Sequence, residues 1–187
     1  IIQRDQEQDR DEATTNSPLF GGDRIDVESG YLEIQAPDGS LVWLDAGTQV
    51  QLLELRNSGG DSSGENVLAL QNGTLEGEIT SEESSQAEMR IDTPEASVYL
   101  MSRGRFRVEA ANGMTSAVSY RGVVELAGDE GSVLVRTGQE SRVSSGDVPE
   151  EPWTVNTFRR GLFGEWCEER SASYVSESRG EDAEYID

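Results

Sequence analysis

Histidine and lysine are both absent from this 187-residue chain, and cysteine occurs once. Without histidine, the side chain that changes charge most readily near neutral pH is missing, so acid–base chemistry would fall to carboxylates. Cys167 stands alone, which excludes an internal disulfide and leaves no ligand set for a structural zinc ion. In its Trp166-Cys167 context it reads as a small buried apolar side chain, because a reactive thiol needs a base or cationic surroundings that the acidic tail does not offer. No run of apolar residues approaches the roughly 20 that a membrane-spanning helix requires. No signal-peptide pattern is visible, and Ile1 in place of an initiator methionine is expected of a processed or trimmed chain. No residue constellation carries a catalytic or cofactor signature, so no enzyme activity, cofactor or metal is expected.

What is present in excess is negative charge: 37 acidic residues against 15 basic ones give a formal net charge of -22. Nucleic-acid binding is disfavoured, since that affinity rests on cations that neutralise phosphates. So many carboxylates describe either a solubilising surface or adaptation to high salt, where a Debye length of about 3 Å at 1 M screens self-repulsion. All fifteen basic residues are arginine, as expected of salt adaptation or of a GC-rich genome alike. The charge is uneven along the chain. Residues 18–88 hold fourteen acidic residues against Arg24 and Arg56, whereas residues 89–145 hold seven of each sign.

A chain of this length supports one substantial core with trimmings. Residues 1–17 read as a polar N-terminal arm, residues 18–147 as a β domain, and residues 148–187 as an extension with a helix at about 156–170 and an acidic, mobile tail. Within the β domain the apolar residues recur at period two, as in Leu32 and Ile34. Pro37-Asp38-Gly39-Ser40 reads as a hairpin turn leading into Leu41 to Leu44. Further strands are expected at 49–55, 67–70, 74–79, 89–91, 97–101, 105–109, 116–126, 132–135 and 140–143. Loops at 57–64, 81–86 and 112–113 separate them. Many short strands at roughly 8 to 15-residue spacing predict an all-β fold, a compact β-roll or irregular solenoid-like sandwich, followed by a short C-terminal amphipathic helix. The helix stripe consists of Phe158, Leu162, Phe163 and Trp166. Its expected contact is the β domain, with a separate partner as the alternative.

From Ile91 to Val143 the chain repeats a short apolar run broken by glycine. The order Asp38-Gly39-Ser40, Ala46-Gly47-Thr48, Leu70-Gln71-Asn72-Gly73-Thr74-Leu75, Asp92-Thr93-Pro94, Gly104-Arg105-Phe106-Arg107-Val108, Gly122-Val123-Val124 and Thr137-Gly138-Gln139 resembles the FecR family over residues 18–147. Residues 158–175 are also similar to the tail after FecR-like domains of secreted bacterial proteins. The resemblance implies a periplasmic or extracellular, mainly β-sheet domain without enzymatic activity. In the family's best-known members it implies a signal passed from an outer-membrane receptor to a sigma factor. The helical anti-sigma module and the membrane helix of those members have no counterpart in these residues.

Three clusters invite chemistry. Glu76 and Glu78 lie on one strand face at a spacing a glycosidase pair could use, but an alternating acidic strand facing water has the same pattern and is the favoured reading. Asp61 with Glu65, and Asp129 with Glu130, could offer calcium oxygen ligands, although neither matches a spaced ligand loop and turn chemistry is favoured. Arg103, Arg105 and Arg107 fall at strict period two, which places three guanidinium groups on one face while Phe106 and Val108 enter the core. Arg121 and Glu125 are expected to project similarly from the next long strand. These arginines form either a cross-strand ladder with glutamates such as Glu125 or a patch for an anion or an acidic partner, a second copy included. The expected function is a non-catalytic protein-interaction or scaffold module of the bacterial envelope. A structural subunit of an envelope or extracellular assembly and a ligand-responsive signalling domain of FecR type are the alternatives. A protein partner or self-association is expected, with neither nucleic acid nor a membrane span.

Overall fold

The structure is a computed structural model, and it describes residues 1–4, 10–36, 39–55, 66–80, 89–101, 103–158 and 160–183. Residues 1–156 form one unit and residues 157–187 a second.

Among the described residues the first unit has fifteen strands: β1 (Ile2–Gln3), β2 (Arg10–Asp11), β3 (Arg24–Asp26), β4 (Leu32–Gln35), β5 (Leu41–Leu44), β6 (Gln49–Glu54), β7 (Asn66–Ile79), β8 (Met89–Asp92), β9 (Ser97–Leu100), β10 (Gly104–Ala111), β11 (Met114–Arg121), β12 (Val123–Gly128), β13 (Gly131–Arg136), β14 (Gln139–Ser144) and β15 (Trp153–Thr154). The organising element is β7. Its first half pairs with β6 and, in parallel, with β8; its second half pairs with β5 and β10. One sheet therefore runs β2-β1-β3-β6-β7-β8-β9-β12-β13 and the other β4-β5-β7-β10-β11-β14-β15, and they share β7. The result is the all-β roll expected from the short alternating runs.

Two separate strands were expected, at 67–70 and 74–79. The chain instead continues as one 14-residue strand. Gly73 takes φ 104° there, a backbone angle open to glycine, and lets β7 leave one sheet for the other without ending its ladder. A β-carbon on Gly73 would lie 2.5 Å from Cα of Thr48. The Thr48 hydroxyl completes the joint: it donates to the carbonyl of Thr74 at 3.0 Å and accepts from the Thr74 amide at 3.1 Å.

The opposite correction applies at 116–126, where a single strand was expected. The chain breaks into β11 and β12 at Gly122, whose φ is 87°. The following segment bends at Thr137-Gly138, between β13 and β14. Because β11 pairs with β14 and β12 with β13, residues 114–144 form a single antiparallel ribbon folded from one sheet into the other. The Thr137 hydroxyl holds the fold in the ribbon, accepting from the Gly122 amide and donating to the Gly122 carbonyl, each at 3.1 Å.

Alternation along these strands sends one set of side chains into a single apolar cluster. Leu68, Leu70, Ile91, Val98 and Leu126 enter it from the first sheet, and Leu75, Phe106, Val108, Ala117 and Val143 from the second. Burying this many aliphatic side chains, at about 1.5–3 kcal/mol each, is the main source of stability. The hairpin expected at 37–40 retains Gly39 at φ 82° and a hydrogen bond from the Ala36 amide to the Ser40 carbonyl, while Pro37 and Asp38 lie outside the described residues. The expected loops at 57–64 and 81–86 also lie outside them.

The second unit contains α1 (Gly161–Ala183). It begins five residues later than expected and runs thirteen residues further, through part of the tail expected to be mobile. Between Arg170 and Ala183 there is no proline and only one glycine, Gly180, so nothing strongly opposes helix propagation beyond the aromatic stripe. No described helix is long and apolar enough to cross a membrane.

Candidate functional site

The arginine row lies at the start of β10. Phe106 and Val108 belong to the core cluster, so Arg105 and Arg107 point to the opposite face of the sheet. On the neighbouring β7, Leu75 and Ile79 enter the core, which places Glu76 and Glu78 on that same outer face. Arg107 stands directly across from Glu76 and Arg105 across from Glu78. On the other side of β7, Trp43 of β5 stands across from Glu76, and Glu33 of β4 across from Trp43.

These residues form one connected network centred on Glu76, which is fully buried. Arg105 donates to Glu76 Oε2 from Nη2 at 2.9 Å and from Nε at 3.3 Å. Arg107 donates to Oε1 from Nη2 at 2.6 Å and from Nε at 3.0 Å. The Tyr120 hydroxyl is a further donor to Oε1 at 3.3 Å. The Arg105 guanidinium lies over the Trp43 ring at 5.1 Å, and the Trp43 indole donates to Glu33 at 2.8 Å. Arg107 lies over the Tyr120 ring at 5.9 Å. Arg121, at the end of β11, donates to Glu78 at 2.7 Å. A buried carboxylate costs several kcal/mol of lost hydration unless it is compensated, at about the scale seen for other buried ions. Here two guanidinium groups and a phenol supply that compensation.

Glu76 and Glu78 are thus not the water-facing row that their alternation suggested: Glu76 is 0% and Glu78 7% exposed. The reason is the matching spacing of two on β10, which sets a guanidinium across from each carboxylate. That match, Glu76/Glu78 against Arg105/Arg107, was the sequence signal of a buried network. Both oxygens of Glu76 are engaged by donors fixed to neighbouring strands, an arrangement suited to holding three strands in register. Trp43 also belongs to this cluster, and its continuous apolar setting, Leu41 to Leu44, had disguised the fact that it faces away from the core.

The four arginines expected as a patch differ in exposure, although Arg105 on β10 stands across from Arg121 on β11. Arg105 is buried, Arg107 is half-buried, and Arg103 and Arg121 are exposed. Glu125, the expected ladder partner, lies on β12 in the other sheet, across from Tyr99 and Leu134. Asp129 and Glu130 occupy the exposed turn between β12 and β13, and Asp61 and Glu65 lie outside the described residues. In the second unit, Phe158 precedes α1 in a turn and is 95% exposed, Leu162 is 78% exposed, and the Phe163 and Trp166 rings stack with centroids 6.4 Å apart. The expected stripe is therefore divided, because α1 starts after Phe158.

The sequence profile of the FecR protein family matches residues 23–125, from the end of the entry turn through the Gly122-Val123-Val124 strand. The chain belongs to the FecR family. Two crystal structures of a proposed anti-sigma factor from Parabacteroides distasonis share its fold. The first matches with a TM-score of 0.55 and 19% sequence identity, covering 71% of this chain and 59% of that one. The second gives a TM-score of 0.55 and 18% identity over the same shares of the two chains. This FecR chain thus spans 59% of the length of those structures. None of the curated proteins compared with it matches in sequence. In this FecR fold, the glycine-centred phrases mark the places where strands bend between sheets or approach one another closely.

Proposed function

We propose that this FecR chain is a non-catalytic protein-interaction module of the bacterial cell envelope. The observation that carries the reading is the self-contained state of its densest charged cluster. Glu76 is fully buried and takes donors from Arg105, Arg107 and Tyr120, so its chemistry is spent on holding strands. The side chains of Arg103 and Arg121 are exposed, the latter while holding Glu78 at 2.7 Å, and with the β13 edge they are the surfaces this reading assigns to contact. Family membership supports a periplasmic or extracellular location and an absence of enzymatic activity. A second reading, a ligand-responsive signalling domain of FecR type, is favoured by the likeness to the proposed anti-sigma factor structures.

The test is site-specific photocrosslinking in the native envelope, with the crosslinker at position 103 or 121. A discrete adduct with another protein, lost on charge reversal of the other arginine, is the expected result. Absence of any discrete adduct at both positions would overturn the reading.

A further inference from the structure

Among the described residues, β13 has a strand partner on one side only, β12, and closes the order of its sheet; at its end the Arg136 amide donates to Gln139 Oε1 at 3.0 Å. Its ladder runs through six consecutive residue pairs without a bulge. It contains neither proline nor lysine, and Gly131, Ser132, Leu134 and Arg136 are exposed. Proteins ordinarily blunt a sheet edge with short strands, proline, inward charge or bulges. Elsewhere on this molecule such devices are present: β2 and β15 are two residues each, and Glu151 and Pro152 precede β15. β13 is longer than either and regular, and its charges and the Gln139 cap lie at its two ends, leaving Ser132 to Leu134 without such a device.

We propose that β13 is a self-association edge, on which residues 131–136 pair antiparallel with the same segment of a second copy of this chain, with Val133 on the two-fold axis. The segment is complementary to itself in this register. Glu130 faces Arg136 of the second copy, and by symmetry Arg136 faces Glu130 of the second copy. Ser132 faces Leu134 of the second copy, which brings the two Leu134 side chains together as diagonal neighbours. Every pair joins residues of the same parity, so the backbone groups turned away from β12 in one copy meet those turned away in the other. Leu134, 45% exposed at present, gains apolar cover.

Charge supports a second copy as the occupant. The chain carries -22 overall, yet β8, β9, β12 and β13 together hold two acidic residues, Asp92 and Glu125, against two arginines, Arg90 and Arg136. Pairing at this edge joins two neutral segments of otherwise strongly anionic molecules. A C2 arrangement of this kind is closed and adds no further free edge at the joint.

This inference rests on the interaction-module reading, and its test is separable from it. Sedimentation velocity of the full chain in high salt, over a range of concentrations, is expected to show a monomer–dimer equilibrium. Leu134→Lys, at an exposed position, is expected to give a monomer with an unchanged circular dichroism spectrum. Glu130→Arg and Arg136→Glu are each expected to weaken the dimer about tenfold, since each replaces two ion pairs with two like-charge pairs, and the double variant is expected to restore it. A chain that stays monomeric throughout, or a dimer indifferent to Leu134→Lys and to the charge exchange, overturns the proposal. A monomer that still yields a crosslinked protein at position 103 or 121 removes this edge and leaves the interaction-module reading standing. A dimer without such a protein does the reverse.

Discussion

Gly77 lies beneath the ring of Phe106, so close that a β-carbon on the glycine would stand 2.3 Å from Cζ. The two residues face each other across the β7–β10 ladder, and the ring fills the space a side chain at 77 would need. Gly77→Ala is therefore expected to lower stability by about 1–3 kcal/mol through overpacking. Phe106→Leu in the Gly77→Ala background should return part of that loss. Urea unfolding of the two variants, compared with Phe106→Leu alone, checks the coupling.

Removing the carboxylate of Glu76 leaves the Arg105 guanidinium, 5% exposed, without its main counter-charge. Glu76→Ala is expected to cost about 3–5 kcal/mol, the range for breaking one side of a buried pair. Arg121→Ala removes a pair whose guanidinium side chain is 60% exposed, and is expected to cost about 0–1 kcal/mol. Equal losses in the two variants, read from chemical denaturation, would show that burial does not set the difference.

The joint at Gly73 combines a positive φ with backbone contact against Thr48. Gly73→Ala meets both obstacles, and the expected loss is about 2–4 kcal/mol. Thr48→Val removes two hydrogen bonds at the same joint while keeping the volume, with an expected loss of about 1–3 kcal/mol. Thermal unfolding followed by calorimetry tests both.

The Asp92-Thr93-Pro94 phrase has a hydroxyl relay behind it. Thr115, fully buried on β11, donates to Glu95 at 2.9 Å and lies 2.6 Å from the Thr93 hydroxyl, which in turn accepts from the Ala96 amide at 2.9 Å. The relay ties the β8–β9 turn of one sheet to β11 of the other. Thr115→Val is expected to cost about 1–3 kcal/mol and to speed amide exchange at Ala96. Exchange rates at Ala96 unchanged from wild type would remove the relay from the account of that turn.

A chain at -22 repels itself, and salt shortens the reach of that repulsion. The melting temperature is expected to rise as salt approaches 1 M, where the Debye length is about 3 Å. A flat or falling melting temperature would count against salt adaptation as the reason for the acidity.

The sequence made the sheets legible because period-two alternation survives in β4, β10 and β14, where one face meets a core and the other does not. It concealed the continuity of β7, since a polar tripeptide ending in glycine is locally the same whether the chain turns back or bends into a second sheet. Only the partners on either side, β6 before Gly73 and β5 and β10 after it, distinguish the two cases. The Glu76 network was concealed for a related reason. A charged residue at every second position describes a wet face unless opposite charges at the same period lie alongside, and those were 29 and 31 residues further on. The helix boundary was misplaced because Phe158 has the right spacing for the stripe but sits in the turn before Gly161.

The passage of β7 through both sheets bears on how such a domain can be inherited. Neither sheet has a seam at which it could be copied, lost or joined to another protein without taking half of a strand from the other. A chain divided between Gln71 and Gly73 would leave two fragments, each with a strand short of its neighbours. The two sheets can therefore be parted only by dividing β7, and any exchange that keeps this strand whole carries its partners in both sheets with it.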